Sequence, residues 1–282
     1  MRKVLWEWNV RAHSFVDQIK AATAGEFDAL TLPYRKYVAE HAAGRPAEML
    51  ATMARDEGVT LDFLDGVSGW APIRYPSAAD EFLRKALDFG PDEVFSLCEG
   101  ACLRHIVAIA GFEHADLPHS QLVECFGTFW SRAAAEGIWV DLEAMPMLGL
   151  PRLADAWAIV REANQPNSGV LLDTWHFMRG GADFELLGSI DRGKIVNIQV
   201  VDGLAAAPSA GLWEDANHHR EFPGRGELPL TRILELLHAT QNLESAGPEA
   251  LSDRVDRLSA AENGREAAAT LNAVLNAAGF NL

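Results

Sequence analysis

Short runs rich in β-forming residues recur along the chain between stretches of helical periodicity, and this alternation limits the fold more than any other feature. The runs lie at 4–8, 29–32, 60–64, 105–109, 138–142, 170–172 and 195–201. Between them apolar residues return at helix spacing, as with Leu122, Cys125, Phe126 and Phe129. A strand followed by a helix, repeated, builds a parallel sheet, because each crossover returns the chain to the same starting edge. Seven such units are visible. An eighth strand is assigned by count to 242–248, after a helix at 230–239, although β-branched residues are scarce there. A last helix over 253–278 sets Val255, Leu258, Leu271, Val274 and Leu275 at core spacing. Eight units predict one (β/α)8 TIM barrel of the α/β class spanning residues 1–282, a length such barrels reach as a single domain. A doubly wound sheet would call for a Gly-rich turn after the first strand, and none stands near Val10.

Hydrophobic residues make up 49% of the chain and charged residues 23%, enough apolar material for a large core. The 24 Lys and Arg against 40 Asp and Glu leave a formal charge of −16. A surface that tracks phosphates needs the opposite sign, so nucleic acid is not an expected partner. Cys98, Cys102 and Cys125 form no CxxC pair, and they read as small core residues rather than disulfides or thiolate ligands. No run approaches the ~18 apolar residues of a membrane span, so no membrane partner is expected and a cytoplasmic protein is the default. A homo-oligomer is compatible with all of this.

Polar groups appear where the later strands stop. Strand five ends Val140-Asp141-Leu142-Glu143, strand six ends in Asp173-Thr174-Trp175-His176, strand seven contains Gln199, and the eighth reaches Glu249. Glu143 and Asp173 are 30 residues apart, Asp173 and Gln199 26, and Gln199 and Glu249 50. The first two gaps match one βα unit; the last carries the long loop 202–226. Neighbouring strands run ~4.8 Å apart, so four oxygen donors on consecutive strand ends can converge on one cation.

These residues carry a resemblance. Glu143 in VDLEAMP, Asp173 in LLDTWHF, Gln199 in IQVVDG, the segment HHREFPGRGELPL and Glu249 in GPEALSD are together similar to the xylose isomerase-like TIM-barrel family, which includes sugar phosphate isomerases and epimerases and family 2 AP endonucleases. The resemblance covers nearly the whole chain. It implies a Glu, Asp, His and Glu ligand set, with the histidine of DxxH, here His176, close by. Gln199 stands where the family more often carries histidine. A neutral amide oxygen makes the set all-oxygen and moves preference from Zn2+ or Co2+ towards Mn2+ or Mg2+.

His176, three residues after Asp173, is expected to orient a substrate oxygen or enter the metal shell. His218, His219, Arg220 and Arg225 form a basic island in an acidic chain. Arg220 leads as a clamp for an anionic substrate group, whereas glycines flanking Arg225 make a turn its simplest explanation. Trp8 and Trp175 are candidates for the walls of a substrate pocket, with Trp6, Trp70 and Trp213 behind them.

The resemblance implies a metal-dependent isomerase or epimerase of a small polyhydroxylated carbonyl compound, with Glu143 and Glu249 as base and acid. The same scaffold accommodates a dehydratase, of dehydroshikimate or keto-inositol type, in which the enolate expels a β-hydroxyl. A barrel that has lost its metal and only binds is the reading from a different class, with Gln199 as its support. The charge of −16 disfavours the endonuclease branch.

Overall fold

A computed structural model describes residues 1–75, 81–208 and 211–280. β1 (Arg2–Leu5) leads through a 3₁₀ turn, Glu7–Val10, to α1 (Phe15–Ala24) and β2 (Ala29–Leu30). Then come α2 (Tyr34–Ala42), α3 (Ala47–Asp56), β3 (Thr60–Leu61), β4 (Phe63–Val67), α4 (Glu81–Leu87), α5 (Pro91–Ala101) and β5 (His105–Ala108). The middle of the chain forms α6 (His119–Ala135), β6 (Trp139–Glu143), α7 (Leu153–Ala163), β7 (Ser168–Asp173), α8 (Thr174–Arg179) and α9 (Phe184–Ser189). The remainder forms β8 (Asn197–Val200), α10 (Leu212–His218), α11 (Leu230–Thr240), β9 (Ser245–Pro248) and α12 (Ala260–Ala277).

All strand pairs are parallel, in the order β3-β2-β1-β9-β8-β7-β6-β5-β4. Asp62 alone separates β3 from β4, so these are two halves of one stave and the sheet closes into a single eight-position TIM barrel. Closure removes the exposed edge that an open sheet would leave. The two ends of the chain are tied by amides: Asn9 Nδ2 donates to Asn263 Oδ1 at 2.6 Å, and Asn9 Oδ1 accepts from the Ala250 amide at 2.9 Å.

Several boundaries differ from the sequence expectation. The first strand stops at Leu5 and Trp8 lies in the 3₁₀ turn, because the Glu7 amide donates to Thr31 Oγ1 at 2.8 Å instead of to a neighbouring strand. The last helix begins at Ala260 rather than at 253, where Ser259 and Glu262 form a capping box. The long loop after β8 contains α10. Strand eight is real, and its small residues have a packing reason: a Cβ on Gly247 would lie 1.8 Å from the Val4 carbonyl. Cys98 is buried, but Cys102 is exposed, at the left-handed end of α5 with φ +57°. Among the described residues no helix is long and apolar enough to cross a membrane.

Deep in the barrel, Asp141 accepts hydrogen bonds from Trp139 Nε1 and Asn197 Nδ2, both at 2.7 Å, and Ser245 Oγ donates to Asn197 Oδ1 at 2.6 Å. Burial nonetheless pushes the Asp141 carboxyl up to about 7.

Candidate active site

Glu143 and Asp173 are the last residues of β6 and β7, Gln199 sits beside Asp173 in the register of β7 with β8, and Glu249 follows β9 directly. All four are buried at the C-terminal ends of consecutive staves. Asp173 Oδ1 caps α8 by accepting the His176 amide at 2.8 Å, which brings the imidazole back over the strand ends. Ligand atoms of Glu143, Asp173 and His176 lie within 4.8 Å of one another, a group that could hold a metal ion. Gln199 and Glu249 are joined to each other instead, Gln199 Nε2 donating to Glu249 Oε1 at 2.8 Å.

Arg220 is not on a solvated loop. It is 2% exposed, with its guanidinium 4.6 Å over the Trp175 ring. Nη1 donates to Asp173 Oδ2 at 3.0 Å and to Glu249 Oε2 at 3.2 Å, and Nη2 lies 3.1 Å from His176 Nε2. The clamp expected for substrate is thus bonded to two of the expected ligands. Trp175 is fully buried beneath it rather than in the pocket wall.

Burial pushes the Glu143 carboxyl well up, reinforced by the charges of Asp173 and Asp65. Glu249 is likewise well raised, by burial first and then by Asp65. Asp173 is raised by burial against the opposing pull of Arg220 and of backbone N–H donors. His176 is well lowered by burial and by Arg220, so its ring is neutral. Four buried carboxyls, Asp65 included, thus share the guanidiniums of Arg220 and Arg35, and Arg35 is also paired with Glu7. Among the described residues, Glu143 Oε1, Gln199 Oε1 and His176 Nδ1 are buried without hydrogen-bond partners. A divalent cation fits such a donor set, because it would take up the unshared oxygens and offset the surplus negative charge.

A cavity of about 290 Å³ opens onto Glu143, His176, Arg220 and Glu249. Trp8, Met145, Leu148 and Trp213 make its walls largely apolar. His218 and His219 do not line it; their side chains are 41% and 39% exposed, and His218 Nδ1 pairs with Asp253 Oδ1 at 2.8 Å. Arg225 lies in a turn, its amide donating to the Phe222 carbonyl at 2.9 Å. Two lining groups were missed in the sequence. Arg35 stacks 4.0 Å over Trp8 and donates to the buried Glu7, and Asp65 sits in β4. The one signal for Asp65 was the glycine after it, since a glycine inside a strand marks a bulge.

Residues 19–272 match the sequence profile of the family described as xylose isomerase-like TIM barrel. A 3-dehydroshikimate dehydratase of Pseudomonas putida is 24% identical over 262 residues, which are 92% of this chain and 39% of that protein. The chain therefore spans about two fifths of that relative's length. Among solved structures, the IolI protein with a bound zinc atom superposes with a TM-score of 0.85 at 18% identity, each chain covered in full. A fusion of a xylose isomerase-like TIM barrel with a 4-hydroxyphenylpyruvate dioxygenase gives 0.80 at 21% identity, over 97% of this chain and 42% of the other. These likenesses extend the profile match over the whole barrel, and the chain belongs to the xylose isomerase-like TIM barrel family.

Proposed function

We propose that the chain is a metal-dependent enzyme that moves a proton next to the carbonyl of a small polyhydroxylated compound, as an isomerase or epimerase. The observation that carries this reading is the pair of buried, strongly raised carboxyls, Glu143 and Glu249, at the two ends of the arc of strand ends that also holds Asp173 and Gln199. Two carboxyls on well-separated strand ends can take a proton on one side of a bound carbon and return one on the other. A divalent ion on Glu143, Asp173 and His176, with Gln199 and Glu249 beside it, would supply charge to polarise the carbonyl and acidify the neighbouring C–H. Mn2+ or Mg2+ suits the oxygen-rich donors, while the imidazole of His176 also admits Zn2+ or Co2+.

The chain's own residues divide the remaining work. Glu143 removes the proton and Glu249 returns one from the other side. Arg220 bridges Asp173 and Glu249, donating to both from Nη1 and fixing their orientation. His176, neutral, offers a hydrogen bond to a substrate oxygen. The apolar walls shed water from the reacting carbon.

A second reading, a dehydratase, is supported by those same apolar walls, which suit a ring, and by the name of the Pseudomonas putida relative. There the second carboxyl would protonate a departing β-hydroxyl. The Mn2+-loaded protein is incubated in D2O with L-ribulose, D-fructose and 3-dehydroshikimate. Deuterium uptake without loss of water supports the isomerase, loss of water supports the dehydratase, and neither change in any compound rules out both.

A further inference from the structure

Asp65 faces the same cavity from the β4 stave and is given neither a proton transfer nor a place among the metal-holding residues above. The stave formed by β3 and β4 stands four positions round the ring from β8, which carries Gln199. The pairing of β4 with β5 shifts register between Leu64 and Val67, and Gly66 has φ +79°. This is a β-bulge, a device that re-aims a side chain where a regular strand would keep alternating. Here it brings Asp65 to the cavity wall. Among the described residues its Oδ2 is buried with no hydrogen-bond partner. Its fractional exposure is 6%, and Ile109 and Leu87 line the same cavity.

A buried carboxyl oxygen left unbonded is costly unless something arrives to bond it. Arg35 and Arg220 are already engaged by Glu7, Asp173 and Glu249, and the largely apolar walls favour a neutral O–H donor. We propose that Asp65 is a specificity-determining residue that accepts a hydrogen bond from a hydroxyl of the substrate, on the wall formed by the β4 stave. The assignment rests on the reading of the site as one for a polyhydroxylated carbonyl compound and names how one of its hydroxyls is recognised. Apolar walls elsewhere make this contact discriminating, because a ligand lacking the hydroxyl leaves the carboxyl unsatisfied.

The test is a binding cycle on Mn2+-loaded protein, read by calorimetry and independent of turnover. L-Ribulose, D-fructose, 3-dehydroshikimate and the monodeoxy analogues of each are titrated into the unaltered protein and into Asp65→Ala and Asp65→Asn. The expected result is that Asp65→Ala weakens a bound probe by about 5- to 100-fold, the range for leaving a buried hydrogen-bonding group without its partner. One deoxy analogue should lose the same factor against the unaltered protein and nothing further against the variant, with Mn2+ binding retained. Asp65→Asn keeps the shape and serves if the alanine variant does not fold. Equal affinities for variant and unaltered protein, losses that simply add, or no binding of any probe to the unaltered protein overturn the assignment. Probes that bind as expected but exchange no deuterium and lose no water would sink the proposed reaction and leave the hydroxyl site standing.

Discussion

Arg220 Nη1 lies 3.0 Å from Asp173 Oδ2, so the carboxylate that ends β7 shares its charge with a guanidinium that arrives from the segment after α10. Both groups are buried, and removing one leaves the other uncompensated. Arg220→Ala is expected to destabilise the metal-free protein by about 3–5 kcal/mol. At roughly 2–4 °C per kcal/mol, that is a fall of about 10 °C in Tm. Calorimetry on metal-free protein checks it, and an unchanged Tm would show that the pair contributes nothing to folding.

Divalent ions are expected to raise Tm by mass action, by about 2.7 kcal/mol of stability at a hundred times Kd. Asp173→Asn should abolish the shift. Gln199→His replaces an amide with an imidazole and should move preference from Mn2+ towards Zn2+. Competitive titration followed by elemental analysis decides it. A variant with the selectivity of the unaltered protein would place Gln199 outside the metal shell.

Glu143→Gln keeps an oxygen donor and removes the proton acceptor. Turnover should fall by more than ~100-fold while metal is retained, the magnitude for a positioned general base. Glu249→Gln should lose turnover likewise, although its single amide oxygen can keep only one of the two bonds that Glu249 accepts, from Gln199 at Oε1 and from Arg220 at Oε2. Metal content and kcat are measured on the same preparation. Full activity in either variant would remove that residue from proton transfer.

Asp141 sets a pH dependence that is independent of the metal. Its folded value of about 7 exceeds the ordinary 3.8, so the folded chain keeps a proton that the unfolded chain releases. The stability it contributes is complete below 3.8, declines as pH rises through that window and is gone above about 7. Denaturant midpoints between pH 4 and 8 should fall with rising pH, and Asp141→Asn should flatten the curve. An identical slope in the variant would assign the effect elsewhere.

The alternation of β-prone runs and amphipathic segments was enough to read the barrel, because period and element order are local properties of the chain. The same holds for the positions of Glu143 and Asp173: a carboxylate that closes an apolar run lies at the strand's end whatever surrounds it. Strand eight was readable only by count, since Gly247 is small for the sake of its neighbour Val4 and not for β-propensity.

Other features of the site depend on which segments meet. Arg220 and Asp173 are 47 residues apart, and nothing local says that the loop returns to bury a guanidinium among carboxylates. Asp65 was hidden because a bulge overrides the inward and outward alternation that a strand's sequence implies. His218, His219 and Arg220 are consecutive, yet only the arginine turns inward, where its charge is matched; the histidines stay near Glu214 and Asp253. The sequence by itself therefore determined the barrel and the order of donors along its strand ends, because local periodicity specifies them. The tertiary structure alone decided which charges are paired and which face the cavity, because burial and long-range contact set the cost of each charge.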